Sequence, residues 1–174
     1  LSNFSFQPDW LWFKQRNGTS DHAIFDSVRG VNAGLTSNNA NAENTNASSS
    51  QDLVSFDNDG FTTGTPSQYG SLGSSGNTIV TWAWKGGGSA SSNSNGSITS
   101  SVSANTEAGF SIVGYTGNAT AGATIGHGLS QAPEYVIWKN RSSGVNWLVQ
   151  ADPIGSPSGG NIILLNTTGA AYAN

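Results

Sequence analysis

With 174 residues the chain can hold one large β-sandwich or two small β-units, and either buries a real core. Only 9% of residues are charged, the formal net charge is −4, and Lys and Arg number six. That balance excludes the clustered cations of a nucleic-acid surface and any basic amphipathic membrane helix. There are no cysteines, so neither disulfides nor thiolate metal sites hold the fold, and stability must come from packing and backbone pairing.

Taken in chain order, short runs rich in β-branched and aromatic residues predict strands at Trp10-Leu11-Trp12-Phe13, Ala23-Ile24-Phe25 and Ile79-Val80-Thr81-Trp82-Ala83-Trp84. Further runs follow at Phe110 to Tyr115, Tyr135 to Trp138, Asn146 to Val149 and Asn161 to Leu165. Gly, Asn, Asp, Ser or Pro stands at or near most of their ends. In the third run Thr78, Val80, Trp82 and Trp84 alternate onto one face; Phe110, Ile112 and Tyr115 do so less strictly. No stretch carries apolar residues at sustained helical spacing, and the Asn content of Asn38 to Ala47 disfavours more than one helical turn there. The predicted fold class is all-β. Gly86 to Gly96 is so rich in Gly, Ser and Asn that it predicts a flexible linker or a long exposed crossover. The expected organisation is a first β-unit over 1–85, that linker over 86–96, and a second β-unit over 97–174. No apolar run approaches the roughly 20 residues of a membrane span, so no membrane insertion is expected.

An internal repeat is the strongest organisational signal. Pro8-Asp9-Trp10-Leu11-Trp12-Phe13-Lys14-Gln15-Arg16 aligns without a gap on Pro133-Glu134-Tyr135-Val136-Ile137-Trp138-Lys139-Asn140-Arg141, an offset of 125 residues from Pro8 to Pro133. The match runs on through His22-Ala23-Ile24 on Trp147-Leu148-Val149 and Gly30 on Gly155, and the approach Leu1-Ser2-Asn3 repeats as Leu129-Ser130-Gln131. The second copy carries an upstream part, Gly109 to Gly128, that the first lacks; the first carries a downstream part, Asp52 to Lys85, that the second lacks. A window from a longer tandem array is therefore expected, and repeated β-units of this kind suit fibres, adhesins and shells.

Few residues invite chemistry. Asp57-Asn58-Asp59-Gly60 has the D-x-D-G form of a calcium loop, but the positions where an EF-hand needs further oxygen ligands hold no acid. Asp57 and Asp59 are thus the only metal candidates, set against a plain Asp-Gly turn between two strands, and no metal or other cofactor is expected. His127, between Gly126 and Gly128, is a ligand-binding candidate whose alternative is a tight turn. Lys14 with Arg16, and Lys139 with Arg141, leave the aromatic strands at alternate positions; they suit an anionic sugar, or else a solvated strand end or salt bridge. No G-x-S-x-G elbow, phosphate-binding loop or converging carboxylate pair is present, so no enzyme is expected. Six Trp and four Tyr supply the stacking surfaces that sugar sites use, but all six Trp lie inside strand patterns, so most are expected in the core and ligand contacts on loops.

The strings Ala23-Ile24-Phe25-Asp26-Ser27-Val28-Arg29-Gly30, Ser55-Phe56-Asp57-Asn58-Asp59-Gly60-Phe61-Thr62, Thr81-Trp82-Ala83-Trp84-Lys85 and Gly109 to Asn118 through Gly126-His127-Gly128-Leu129 resemble a family of tailed-phage virion proteins, known mainly from marine phages as tail-fibre-like or lectin-like β-sandwich proteins. The resemblance spans nearly the whole chain outside the Gly/Ser stretch. It implies a virion component on the particle or extracellular surface, with no catalytic residues to carry over. The resulting expectation is an antiparallel two-sheet β-sandwich of jelly-roll or lectin-like type, forming part of a tail fibre or appendage, with attachment to host-surface glycans as a second role. Its partners would be copies of itself, as a homo-oligomer and commonly a trimer in fibres, and other virion proteins. A capsid-decorating protein and a repeat module of a bacterial surface adhesin are the alternatives.

Overall fold

The computed structural model describes residues 3–45, 50–69, 72–151 and 161–173; Leu1, Ser2 and Gly155 of the aligned repeat lie outside the described residues. Among the described residues the protein is all-β, with no helix. The first half holds β1 (Trp10–Gln15), β2 (Ala23–Asp26), β3 (Leu35–Thr36), β4 (Leu53–Asp57), β5 (Gly60–Thr63) and β6 (Ile79–Trp84). The rest holds β7 (Ser91–Asn93), β8 (Ser100–Asn105), β9 (Phe110–Tyr115), β10 (Tyr135–Trp138), β11 (Leu148–Ala151), β12 (Asn161–Leu164) and β13 (Tyr172–Ala173). Every strand pair is antiparallel. They form two four-stranded sheets, in the orders β3-β2-β1-β6 and β10-β11-β12-β13, a β4-β5 hairpin and a three-stranded sheet β7-β8-β9.

Alternation along β1 decides the interior, because successive side chains of a strand point to opposite faces. Leu11 and Phe13 face one way with Ala23 and Phe25 of the paired β2, and Leu53 and Phe61 of the β4-β5 hairpin close over them together with Tyr69 from the chain after it. The rings meet edge to face, Phe13 on Phe61 at 5.1 Å and Phe25 on Tyr69 at 5.2 Å, the arrangement that aromatic quadrupoles favour. Burial pushes the Tyr69 hydroxyl well above the ordinary tyrosine range. On the opposite face of the same sheet, Trp10, Trp12, Ile24 and Leu35 meet Ile137, Trp147 and Leu165 from the chain around β10 to β12. Three polar bridges tie this second contact at its margin. Trp147 Nε1 donates to Thr36 O at 2.9 Å, Lys139 Nζ to Ala40 O at 3.3 Å, and Arg141 holds Glu43.

The stretch 86–96, expected as a flexible linker or a long exposed crossover, is mostly exposed and is fastened to its neighbours by hydrogen bonds. β7 pairs with β8 from Ser91↔Val102 to Asn93↔Ser100, and the glycines before it are gripped by a buried carboxylate. Asp9 Oδ2 accepts from Gly86 N at 2.8 Å and Gly88 N at 3.4 Å, while Asp9 Oδ1 accepts from Ser27 Oγ at 2.9 Å and Gln7 Nε2 at 3.3 Å. Ser103 Oγ receives Gly87 N and donates to Gly88 O. The physical reason is that glycine leaves room for backbone to lie against backbone, and here that closeness is used for hydrogen bonds. At Gly87 a Cβ would stand 2.3 Å from Ala104 O. Gly87→Ala is therefore expected to cost about 2 kcal/mol by forcing these two segments apart, read as a lowered thermal midpoint. An unchanged midpoint would show that the crossing is loose. The Asn-rich stretch from Asn38 carries turns and a bridge, Gly34↔Asn44, with no helical turn among its described residues.

Candidate functional site

A ladder of indoles lies across β1 and β6. The register sets Trp10 opposite Trp84 and Trp12 opposite Trp82, and alternation puts all four on one face. Trp10 meets Trp84 edge-on at 4.7 Å, Trp12 meets Trp82 at 5.7 Å, and Trp10 meets Trp12 at 5.7 Å. Phe110, the first residue of β9, stacks on Trp84 at 6.4 Å and closes that end. Trp10 and Trp12 are partly buried against the second sheet. Trp82 and Trp84 remain 46% and 38% exposed. The expectation that most tryptophans are core is thus corrected for these two. Only Trp147 is fully buried among the described indoles, because β6 is the sheet's last strand and its outward face extends past the cover that β10 to β12 provide.

The face is apolar with a cation at one end. Lys14 continues the row of Trp10 and Trp12 and lies opposite Val80. Its ammonium donates to Gly18 O at 3.2 Å and Ser20 O at 3.0 Å, which fixes it over the β1–β2 turn. Arg16 follows on the exposed end of the strand, its backbone N donating to Thr78 O at 2.7 Å. Trp12 Nε1 is buried without a hydrogen-bond partner.

The other basic pair occupies a different place and has other work. Lys139 Nζ, with three protons, lies within hydrogen-bond distance of four carbonyls, those of Ala40, Asn140, Ser143 and Val145, at 2.8–3.3 Å. Burial holds its pKa below the ordinary lysine value. Arg141 reaches Glu43 through Nε at 2.8 Å and Nη2 at 2.6 Å, and Glu43 also receives Arg29 Nη1 at 3.0 Å. Arg29 in turn binds Asp26 Oδ2 at 2.5 Å. Burial alone would raise the Glu43 carboxyl; the hydrogen bonds from Arg141 and Arg29 outweigh it and hold it below the ordinary carboxylate range. A salt bridge was one of the readings for Arg141, but its partner Glu43 and the link on to Arg29 were not legible, since Glu43 lies in an Asn-rich stretch nearly a hundred positions from Arg141.

Asp57 and Asp59 sit in the turn joining β4 and β5, where Asp57 lies opposite Gly60. Asp57 accepts from Ser55 Oγ at 2.7 Å and Thr62 Oγ1 at 2.8 Å, and these bonds lower its pKa. The Asp59 carbonyl accepts from Asn3 N and Phe4 N. His127 Nδ1 accepts from Leu129 N at 3.1 Å within its own turn. No three His, Asp or Glu side chains converge in a metal-holding group among the described residues. The structure therefore brings Lys14 and Arg16 near the indole ladder and leaves Lys139, Arg141, His127, Asp57 and Asp59 elsewhere. Phe110 is the ladder member that sequence patterning did not attach to it.

Comparison with curated proteins and with solved structures gives no match. A profile of the family described as "Domain of unknown function (DUF7483)" matches residues 1–174, and the chain belongs to that family.

Proposed function

We propose that this protein is a non-catalytic structural module of a phage tail fibre or similar virion appendage, and that it attaches to surface glycans through the open part of its indole ladder. The observation that carries the attachment reading is the exposure of Trp82 and Trp84 on a sheet face already stiffened by Trp10, Trp12 and Phe110. A sugar presents C–H groups to an aromatic face and hydroxyls to its rim, and a rigid indole gives large contact area at little entropic cost. The resemblance of the four sequence strings to tail-fibre-like virion proteins supports the setting, as does a surface built of Ser, Thr, Asn and Gly with few charges.

The finer architecture we propose is a sandwich built from two copies of one unit. Its support is the agreement of backbone and side-chain bonds between the halves. β1 pairs β2 from Trp10↔Asp26 to Phe13↔Ala23, and β10 pairs β11 from Tyr135↔Ala151 to Trp138↔Leu148, each residue 125 positions on. Lys14 binds the carbonyls of Gly18 and Ser20, and Lys139 those of Ser143 and Val145. His22 N donates to Asn38 Oδ1, and Trp147 N to Asn166 Oδ1. Asn38 Nδ2 reaches Asp21, and Asn166 Nδ2 reaches Asn146. Past β2 the spacing grows from 125 to 128, as Asn38 to Asn166 shows, so the second copy has three more residues in sequence at that point.

Binding of neutral oligosaccharides, screened on a glycan array and followed by calorimetry, tests the attachment reading. Trp82→Ala and Trp84→Ala are each expected to weaken binding about tenfold, or roughly 1.4 kcal/mol, with the fold retained because both side chains are half in solvent. Unchanged affinity in both variants would remove the ladder as the glycan site.

A further inference from the structure

We propose that the open edge of β10 pairs antiparallel with the open edge of β6 in a second copy of this chain, so that one four-stranded sheet runs on into the next. β6 and β10 are each the last strand of their sheet, and among the described residues neither carries a strand on its outer side. Unpaired edges template association unless charge, proline or a bulge blunts them. Neither strand is blunted. β6 reads Ile-Val-Thr-Trp-Ala-Trp and β10 reads Tyr-Val-Ile-Trp, with no charge and no proline. Three of the large apolar side chains most open to solvent also lie on these two strands: Trp82, Trp84 and, at 56%, Tyr135.

The chain itself indicates the occupant. β10 shares its register toward β11 with that of β1 toward β2, and on its other side β1 takes β6. A strand of β6's character is thus what this kind of edge accepts. A second copy supplies one without unfolding, because only one side of its β6 is used. Arg16 N donates to Thr78 O, opposite it in the ladder, so Thr78, Val80, Trp82 and Trp84 turn their backbone groups toward β1. The outer side of β6 then offers those of Ile79, Thr81 and Ala83. By the register it shares with β1, β10 directs Tyr135 and Ile137 outward. Bonding Tyr135 to Ala83 and Ile137 to Thr81 of the copy sets Val136 opposite that copy's Trp82 and Trp138 opposite its Val80, diagonal to Trp82, so the apolar row runs on across the junction. Each chain has one edge of each kind, so the contact is head-to-tail and either closes into a ring or continues as a row.

Proline at an outward-facing position removes the edge donor while sparing the inner ladder. Sedimentation of the full 174-residue chain across a concentration series is expected to show assembly for the native protein, and monomers for Thr81→Pro and for Tyr135→Pro, each checked for a cooperative melt. Mixing the two variants restores one good junction and is expected to give a one-to-one dimer that grows no further. Tyr135→Lys, at an exposed position, repeats the β10 block without altering the backbone. A native chain that stays monomeric, variants that assemble like the native chain, or a mixture that stays monomeric would each overturn the proposal. Because all these variants keep Trp82 and Trp84, loss of assembly is read separately from glycan binding.

Discussion

Trp147→Ala is expected to lower stability by about 4 kcal/mol, the range of large aromatic truncations in a packed interior. The indole is buried among Ile24, Leu35, Trp10 and Trp12, so removal empties the contact between the two four-stranded sheets. It also leaves the Thr36 carbonyl without the donor that now lies 2.9 Å away. Trp147→Phe separates the two terms. It keeps most of the ring and loses only the hydrogen bond, for about 1–2 kcal/mol. Urea denaturation of both variants gives the comparison, with the slope watched for a second transition. If the alanine variant lost less than about 1 kcal/mol, the two sheets would be held by something other than this side chain.

Glu43→Gln carries the second large effect, and pH reveals it. Glu43 and Arg29 are each 6% exposed at the side chain, whereas Arg141 is 46% exposed, so the Arg29 side of the triad dominates. Breaking a buried pair costs about 3 kcal/mol, while the exposed Arg141 arm is worth roughly 0.5 kcal/mol in an Arg141→Ala variant. The folded-state pKa of Glu43 lies below its ordinary value of 4.5. A carboxylate of that kind stabilises fully above the ordinary value and loses its contribution as pH falls through the lowered one. The gap between native protein and Glu43→Gln is therefore expected to be widest at neutral pH and to close in acid. Thermal midpoints measured from pH 7 downward check the sign; a gap constant with pH would show that the carboxylate charge is not what matters.

The fold class was legible because β-branched and aromatic runs such as Ile79 to Trp84 have no helical alternative, and every run named from the sequence overlaps a strand. β7 and β8 escaped notice because Ser-Ser-Asn and Ser-Ser-Val-Ser-Ala-Asn lack bulky side chains; their pairing rests on backbone bonds and on the neighbouring β9. Alternation correctly joined Trp82 with Trp84 on one face but could not say whether that face was covered, since cover comes from a sheet more than fifty residues downstream. The same non-locality hid Glu43 as the partner of Arg141. Asp9 stands in the sequence only as a member of the repeated string, and its role as a buried acceptor depends on Gly86 and Gly88, far along the chain in a stretch that composition alone marks as loose. Local pattern thus carried the strands, and long-range contact decided which of their faces meet solvent.

The grip of Asp9 on Gly86 and Gly88 also determines how the chain bears load. A Gly/Ser stretch that hung free would act as a slack tether, extending under slight tension and isolating what lies on either side. Here the carboxylate, the Ser103 hydroxyl and the β7–β8 ladder fasten it along its length, so a pull applied to one end is passed directly from the β1–β6 sheet to the β7–β9 sheet. The segment acts as a rivet between the two sheets, not as a tether.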